Sequence, residues 1–191
     1  AYGNVSLYEN TTGGYNTAHG SWALHDNTTG TSNTATGASA LENNTTGGKN
    51  TASGYQSLYS NTTSYNNAAH GYQALKSNTT GCYNVAAGND AMYNNSTGNS
   101  NTASGYYALG KNTTGHSNAA TGHMAMTKNT TGHSNVAIGL QTMGCNTTAA
   151  YNTAVGACAM FCNTGTGMAM EAFGFRALHS LSLIHISEPT R

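Results

Sequence analysis

The chain has 191 residues, of which only 12 are Asp, Glu, Lys or Arg, and it carries no formal net charge. A neutral chain with six basic residues lacks the positive surface that binds nucleic acid or an anionic membrane. No run of about 20 apolar residues occurs, so the sequence predicts no membrane-spanning helix. We therefore expect no nucleic-acid partner and no membrane insertion.

A repeat of 17 residues runs through most of the chain. Asn recurs at this interval from Asn10 to Asn163 without an insertion or deletion, so residues 1–170 contain ten copies of one unit. Numbered as columns 1 to 17 from Ala1, the unit reads A-x-G-x-x-A-L-x-x-N-T-T-G-x-x-N-T. Column 1 is always Ala, column 3 is always Gly, and column 7 is always Leu or Met. Such periodicity indicates a repeat architecture.

The unit is too short for a helical hairpin repeat, and its Gly, Asn and Thr residues disfavour a helix. Short strands joined by tight turns fit better, with column 3 and the N-T-T-G segment supplying turn residues. We therefore predict an all-β fold: a β-solenoid, or parallel β-roll, of ten in-register coils with two or three short strands each. At a strand spacing of about 4.8 Å, ten coils give a rod about 48 Å long.

The core of such a rod is predicted to be thin. Columns 1, 3 and 6 hold small residues, and column 7 is the main apolar seam. Burying one Leu or Met per coil contributes roughly 1.5–3 kcal/mol, which is little for 17 ordered residues. Hydrogen-bonded ladders or a partner chain must supply the rest. We therefore expect the chain to associate with itself, as a homo-oligomer or a head-to-tail filament.

Column 10 opens an N-x-T sequon in nine of the ten copies, and this pattern suits two interpretations. As an N-glycosylation sequon it would form a row of glycans, provided that the column faces outward. Alternatively, the stacked amides form a ladder that bonds to itself and to the turn backbone. The nine candidates are Asn10, Asn27, Asn44, Asn61, Asn78, Asn95, Asn112, Asn129 and Asn146.

Column 16 is a second regular Asn column, and it never opens a sequon. Its regularity favours a structural amide ladder. The members are Asn16, Asn33, Asn50, Asn67, Asn84, Asn101, Asn118, Asn135 and Asn152.

Threonine recurs at columns 11 and 12, for example at Thr11, Thr28 and Thr45. Regular outward Thr rows on a flat solenoid face resemble the surfaces with which several ice-binding proteins order water. Neighbouring residues of a strand point to opposite sides, so we expect only one of the two columns to face outward. Column 17, the remaining candidate for a second row, is mixed.

Two of the four cysteines, Cys145 and Cys162, share column 9 of neighbouring coils. Their Cα atoms should lie about 4.8 Å apart, within the range that a disulfide bond spans. We therefore predict a disulfide, with two adjacent free thiols as the alternative. A disulfide would agree with an oxidising, extracellular setting.

The remaining titratable and aromatic residues indicate no catalytic or metal site. His116 and His133 share column 14, but no third ligand joins them, and the acids needed for a calcium site are scarce. Ser, His and carboxylate groups are scattered over different columns, so we expect no enzyme activity and no cofactor. Tyrosines at column 4, such as Tyr55 and Tyr72, are expected to cover the thin core or to bind a carbohydrate.

The segment Asn135-Val136-Ala137-Ile138-Gly139, repeated at residues 118–122 and 152–156, resembles the N-x-A-x-G strand motif of trimeric autotransporter adhesin heads. The resemblance covers residues 1–170 and implies a trimeric parallel β-roll that binds host surfaces or matrix. Similar N-T-A-x-G-x-x-A-L units occur in fibre proteins of phages and large viruses.

The regular array stops near the end of the chain. Residues 171–179 contain an eleventh A-x-G-x-x-A-L, displaced by one residue. Residues 180–191 resemble translated sequencing-adapter read-through, with a capping segment as the alternative. We expect the native array to be longer than this chain.

The sequence therefore predicts the structural shaft of an extracellular fibre or cell-surface filament. Two alternatives are a fibre or adhesin that binds surface glycans, and an ice-binding solenoid.

Overall fold

A computed structural model describes residues 1–163 and 169–181, which form short strands joined by turns. No helix occurs in this part of the chain, and hence none that could cross a membrane. The strands are β1 (Thr17–His19), β2 (Thr34–Thr36), β3 (Thr51–Ser53), β4 (Ala68–His70), β5 (Val85–Ala87), β6 (Thr102–Ser104), β7 (Ala119–Thr121), β8 (Val136–Ile138), β9 (Thr153–Val155), β10 (Cys162–Asn163), β11 (Glu171–Phe173) and β12 (Ser180–Leu181).

The strands stack into a ten-stranded parallel sheet in the order β1 to β9 followed by β11. Neighbours pair in register at an offset of 17 residues, so Ala18 lies opposite Ala35 and Ala35 lies opposite Ala52. The predicted all-β solenoid is confirmed. Each regular coil from β1 to β9, however, contributes one three-residue strand rather than the two or three expected.

Outside the strands, backbone hydrogen bonds still join each coil to the next. The amide of Leu24 donates to the carbonyl of Ala40 at 3.0 Å, and the amide of Asp26 donates to Glu42 at 2.9 Å. At columns 11 to 13 three consecutive amides, those of residues 28–30, all donate to the carbonyl of Thr45. The ladder therefore continues around the perimeter of the coil, although most of the perimeter is turn.

The turns rely on left-handed backbone conformations at residues that are not glycine. Columns 5, 7 and 15 repeatedly have φ near +55°, as at Tyr107 (52°), Leu109 (51°) and Ser100 (56°). Each such residue costs roughly 1–2 kcal/mol relative to a right-handed conformation. The stacked hydrogen bonds outweigh that cost in every coil.

Replacing Ser100 by glycine is expected to stabilise the protein by about 0.5–1 kcal/mol, because glycine adopts this backbone conformation without the penalty. Ser100 is exposed, so little packing is lost. Urea-induced unfolding measures the change. The matched control is Ser104→Gly in β6, where extended backbone makes glycine destabilising. Equal effects of the two substitutions would contradict the prediction.

The interior of the rod is narrow and half polar. Its apolar part consists of Ala at column 1, small residues at column 6, and Leu or Met at column 7, which matches the predicted thin core. The column 7 side chains from the second coil onward are fully buried: Leu24, Leu41, Leu58, Leu75, Met92, Leu109, Met126, Met143 and Met160. The Asn side chains of columns 10 and 16 fill the rest.

The coil at β11 repeats the same geometry with a shift of one residue. Ala172 pairs with Ala154, an offset of 18, and Gly174 has the positive φ of column 3. Residues 164–168, between β10 and this coil, lie outside the described part. β12 pairs with β10, and the rest of the predicted tail, residues 182–191, also lies outside the described residues.

Candidate functional site

The column 10 asparagines form an internal amide ladder. The Nδ2 of Asn44 donates to the Oδ1 of Asn27 at 2.7 Å and to the carbonyl of Gly47 at 3.0 Å. The same side-chain bond joins every neighbouring pair from Asn10 to Asn146. Each amide thus bonds along the rod and to the turn of its own coil.

Glycosylation required column 10 to face outward, and in the described coils it faces inward. Asn27 and the later members up to Asn146 are buried, while Asn10 in the first coil is half-buried. A glycan on a buried Nδ2 would also replace a hydrogen atom that donates within the ladder. The geometry of the folded rod therefore favours the ladder interpretation over glycosylated sequons.

The column 16 asparagines form the second ladder, in which the side chain substitutes for a backbone group. The amide of Asn118 donates to the Oδ1 of Asn101 at 3.0 Å. The Nδ2 of Asn101 in turn donates to the carbonyl of Gly115, in the next coil, at 2.8 Å. The ladder runs from Asn16 to Asn152, where the amide of Met170 donates to the last Oδ1 at 3.1 Å. Each bend of the chain at column 16 is thus held by side-chain bonds.

Of the two threonine columns, column 12 is the one that faces outward. Column 11 is mostly half-buried, and its hydroxyls donate to the column 11 carbonyl of the next coil, as from Thr113 to Thr130 at 3.0 Å. Column 12 is exposed in nine coils, and none of its hydroxyls has a hydrogen-bond partner among the described residues: Thr12, Thr29, Thr46, Thr63, Thr80, Thr97, Thr114, Thr131 and Thr148. The hydroxyls of Thr11, Thr28 and Thr45 in column 11 are therefore part of the bonding between coils, and the row with unpartnered hydroxyls is column 12. Column 12 is Thr in nine successive copies, and this uniformity was the feature of the sequence that could have identified the outward row.

The exposed aromatic residues stack on one another along the rod. The rings of Tyr55 and Tyr72 lie 5.5 Å apart at an interplanar angle of 18°, and Tyr106 stacks on His123 at 5.2 Å. Each ring therefore turns a face toward its neighbour in the next coil. Such rows add stabilising contacts between coils.

The paired histidines also stack, with the rings of His116 and His133 4.6 Å apart. Tyr151 meets the second ring edge-on at 5.1 Å. No group of three or more His, Cys, Asp or Glu side chains placed to hold a metal occurs within residues 1–163 and 169–181. The pair thus belongs to the same kind of row as the tyrosines.

The two column 9 cysteines lie side by side, with their Sγ atoms 2.7 Å apart and no covalent bond between them. Lys128, in the same column one coil earlier, places its Nζ 3.9 Å from the Sγ of Cys145. Burial and the neighbouring Cys145 raise the pKa of the Cys162 thiol to about 11, while Lys128 lowers it. The predicted neighbours are therefore brought together, and their oxidation remains a prediction.

No sequence family, curated protein or solved structure matches this chain. The structure shows a parallel β-solenoid built from a 17-residue repeat, and the relationship to adhesin heads stays a prediction.

Proposed function

We propose that the repeat array is the non-catalytic structural shaft of an extracellular fibre or cell-surface filament. The observation that carries the proposal is the uniform junction between coils: backbone bonds around the perimeter and two internal amide ladders recur from coil to coil. Uniform junctions give length and stiffness. A surface with few charges and a row of exposed threonines would resist non-specific binding.

Association with further copies of the same chain is part of this proposal. The apolar interior is only one Leu or Met wide, so a longer array or neighbouring rods would add stability that a single short rod lacks. Sedimentation of the purified chain over a range of concentrations tests this: a shaft should form dimers, trimers or filaments, and a strictly monomeric chain would count against self-association.

Cryo-electron microscopy of the native material tests the shaft itself. The expected result is a long filament with coils repeating at about 4.8 Å. A short, discrete particle with a capped rod would refute the proposal.

Binding of surface glycans is the alternative suggested by the adhesin resemblance. Stacking of Tyr55 on Tyr72 and of Tyr106 on His123 occupies ring faces that a sugar would otherwise contact. We therefore rank this alternative below the shaft. Binding on a glycan array that is lost in Tyr55→Ala would reverse the ranking.

Ice binding is a second alternative, and the column 12 row favours it. Nine exposed threonines with unpartnered hydroxyls stand one per coil, at the strand spacing of about 4.8 Å. They could order water in a regular line. The row is single, because the column 11 hydroxyls bond to backbone carbonyls.

If this alternative holds, the triple substitution of Thr80, Thr97 and Thr114 by leucine should abolish inhibition of ice growth, because bulky side chains interrupt the row. Ice-recrystallisation assays measure the effect. The control replaces Ala87, Ser104 and Thr121 of column 2, which lie on the strand face, by leucine and should retain activity. Inactive wild-type protein, or equal activity of both variants, would eliminate ice binding.

A further inference from the structure

We propose that Cys145 and Cys162 form a cross-link site that joins two successive coils covalently through thiol–disulfide exchange with a small-molecule disulfide. Their Sγ atoms are 2.7 Å apart, and a disulfide bond is about 2.05 Å long. Bond formation therefore needs only a small movement of the two side chains. Both residues are half-buried rather than sealed in the core. The inference does not depend on the shaft proposal.

The position of the pair coincides with a weak step in the internal ladder. Immediately after Cys145, the Nδ2 of Asn146 donates to the Oδ1 of Asn129 and to the carbonyl of Ala149 at 3.4 Å each. Earlier members of column 10 make these bonds at 2.7–3.1 Å. Ala149 stands where most coils have glycine, and a Cβ atom built on the equivalent Gly132 of the preceding coil would clash with the Oδ1 of Asn129. A disulfide bond between Cys145 and Cys162 would hold the two coils together where the column 10 ladder has its longest hydrogen bonds.

The surroundings assign different roles to the two sulfurs. The ammonium group of Lys128 lies 3.9 Å from the Sγ of Cys145, where it attracts an anionic disulfide such as oxidised glutathione to that sulfur. Cys162 is held as a thiol, since burial and its neighbour raise its pKa to about 11. Cys145 is therefore the sulfur that attacks the small-molecule disulfide, and Cys162 is the resolving thiol.

The reaction then proceeds in two exchanges. The Cys145 thiolate attacks one sulfur of oxidised glutathione, which forms a mixed disulfide and releases one glutathione thiolate. Cys162 loses its proton to solvent and attacks the Sγ of Cys145, which releases the second glutathione. Two protein thiols are oxidised, and one glutathione disulfide is reduced to two thiols.

The test exposes the full chain, purified in reductant, to oxidised glutathione and maps its disulfides after chymotryptic digestion without reduction. Cleavage after Tyr151 and Phe161 puts Cys145, Cys158 and Cys162 on separate peptides. We expect the first and third peptides to be linked. Linkage through Cys158, or stable glutathione adducts on both Cys145 and Cys162, would overturn the proposal.

Three variants test the assigned roles. Cys162→Ser should accumulate the glutathione adduct on Cys145, whereas Cys145→Ser should not form it on Cys162 at a comparable rate. Lys128→Gln should slow adduct formation, and its control Lys111→Gln, in the same column one coil further away, should leave the rate unchanged. Faster reaction at Cys162 than at Cys145 would refute the assignment.

Hydrogen exchange tests the structural consequence. Closing a loop of this length should make opening of the coil at residues 146–161 rarer by on the order of 100-fold in the oxidised chain. Amides of residues 95–111, several coils away, provide the internal control and should exchange equally in both states. Identical exchange of residues 146–161 before and after oxidation would show that the bond does not reinforce the stack.

Discussion

Substitution of Gly105 by alanine is expected to destabilise the rod by about 3 kcal/mol or more. Gly105 has φ +131°, and a Cβ atom built there would lie 2.5 Å from the carbonyl oxygen of Gly122 and 2.7 Å from its carbon. The obstacle is the backbone of the next coil rather than a flexible side chain, so the two coils would have to separate locally. Urea-induced unfolding followed by circular dichroism measures the loss.

The matched control is Gly14→Ala, where an added Cβ meets nothing within 4 Å. That variant should change the free energy of unfolding by less than about 0.5 kcal/mol. Because array proteins often unfold in stages, hydrogen exchange of the coils around residue 105 should accompany the urea curves. A tolerated Gly105→Ala would mean that the coils are not stacked as closely as described.

Replacement of Asn112 by leucine, a side chain of similar size, should cost about 3–5 kcal/mol. Asn112 donates to the Oδ1 of Asn95 at 2.7 Å and to the carbonyl of Gly115 at 3.0 Å. It also accepts from the Nδ2 of Asn129 at 2.8 Å. Leucine removes all three bonds at a buried site, and each polar group left unsatisfied costs about 1–3 kcal/mol.

Asn89→Leu is the control for this change, since Asn89 is exposed and substitutions on the surface are usually within about 0.5 kcal/mol of neutral. Differential scanning calorimetry on both variants gives the comparison. Equal melting temperatures for Asn112→Leu and wild type would show that the amide ladder contributes nothing to stability, and the polar half of the interior would need another explanation.

The period and the small or apolar columns were sufficient to predict the solenoid and much of its core. Ala at column 1, Leu or Met at column 7, and a strict interval of 17 leave few other ways to bury apolar area. The left-handed backbone at Leu109 and its equivalents was not predictable, because bulky residues disfavour that conformation in isolation. It is imposed by bonds to neighbouring coils.

The sequence also could not predict whether the side chains of the polar columns face the interior or the solvent. The same N-x-T sequence at Asn112 fits an exposed glycosylation site and a buried amide ladder, and only the path of the backbone distinguishes them. The sequence left open which of Thr113 and Thr114 faces outward, because columns 11 to 13 bend around one carbonyl of the next coil instead of running as a strand. The outward column 12 row follows from that bend.

The bonds that join the coils run along the rod, in the direction in which strands stack. A tensile load on the rod is therefore carried by the junctions between coils in series, and the weakest junction yields first. A detached coil of 17 residues would lengthen the chain by about 50 Å, the extended span minus the stacking distance. Such a rod would lengthen under load in equal increments, with the intact coils on either side still folded.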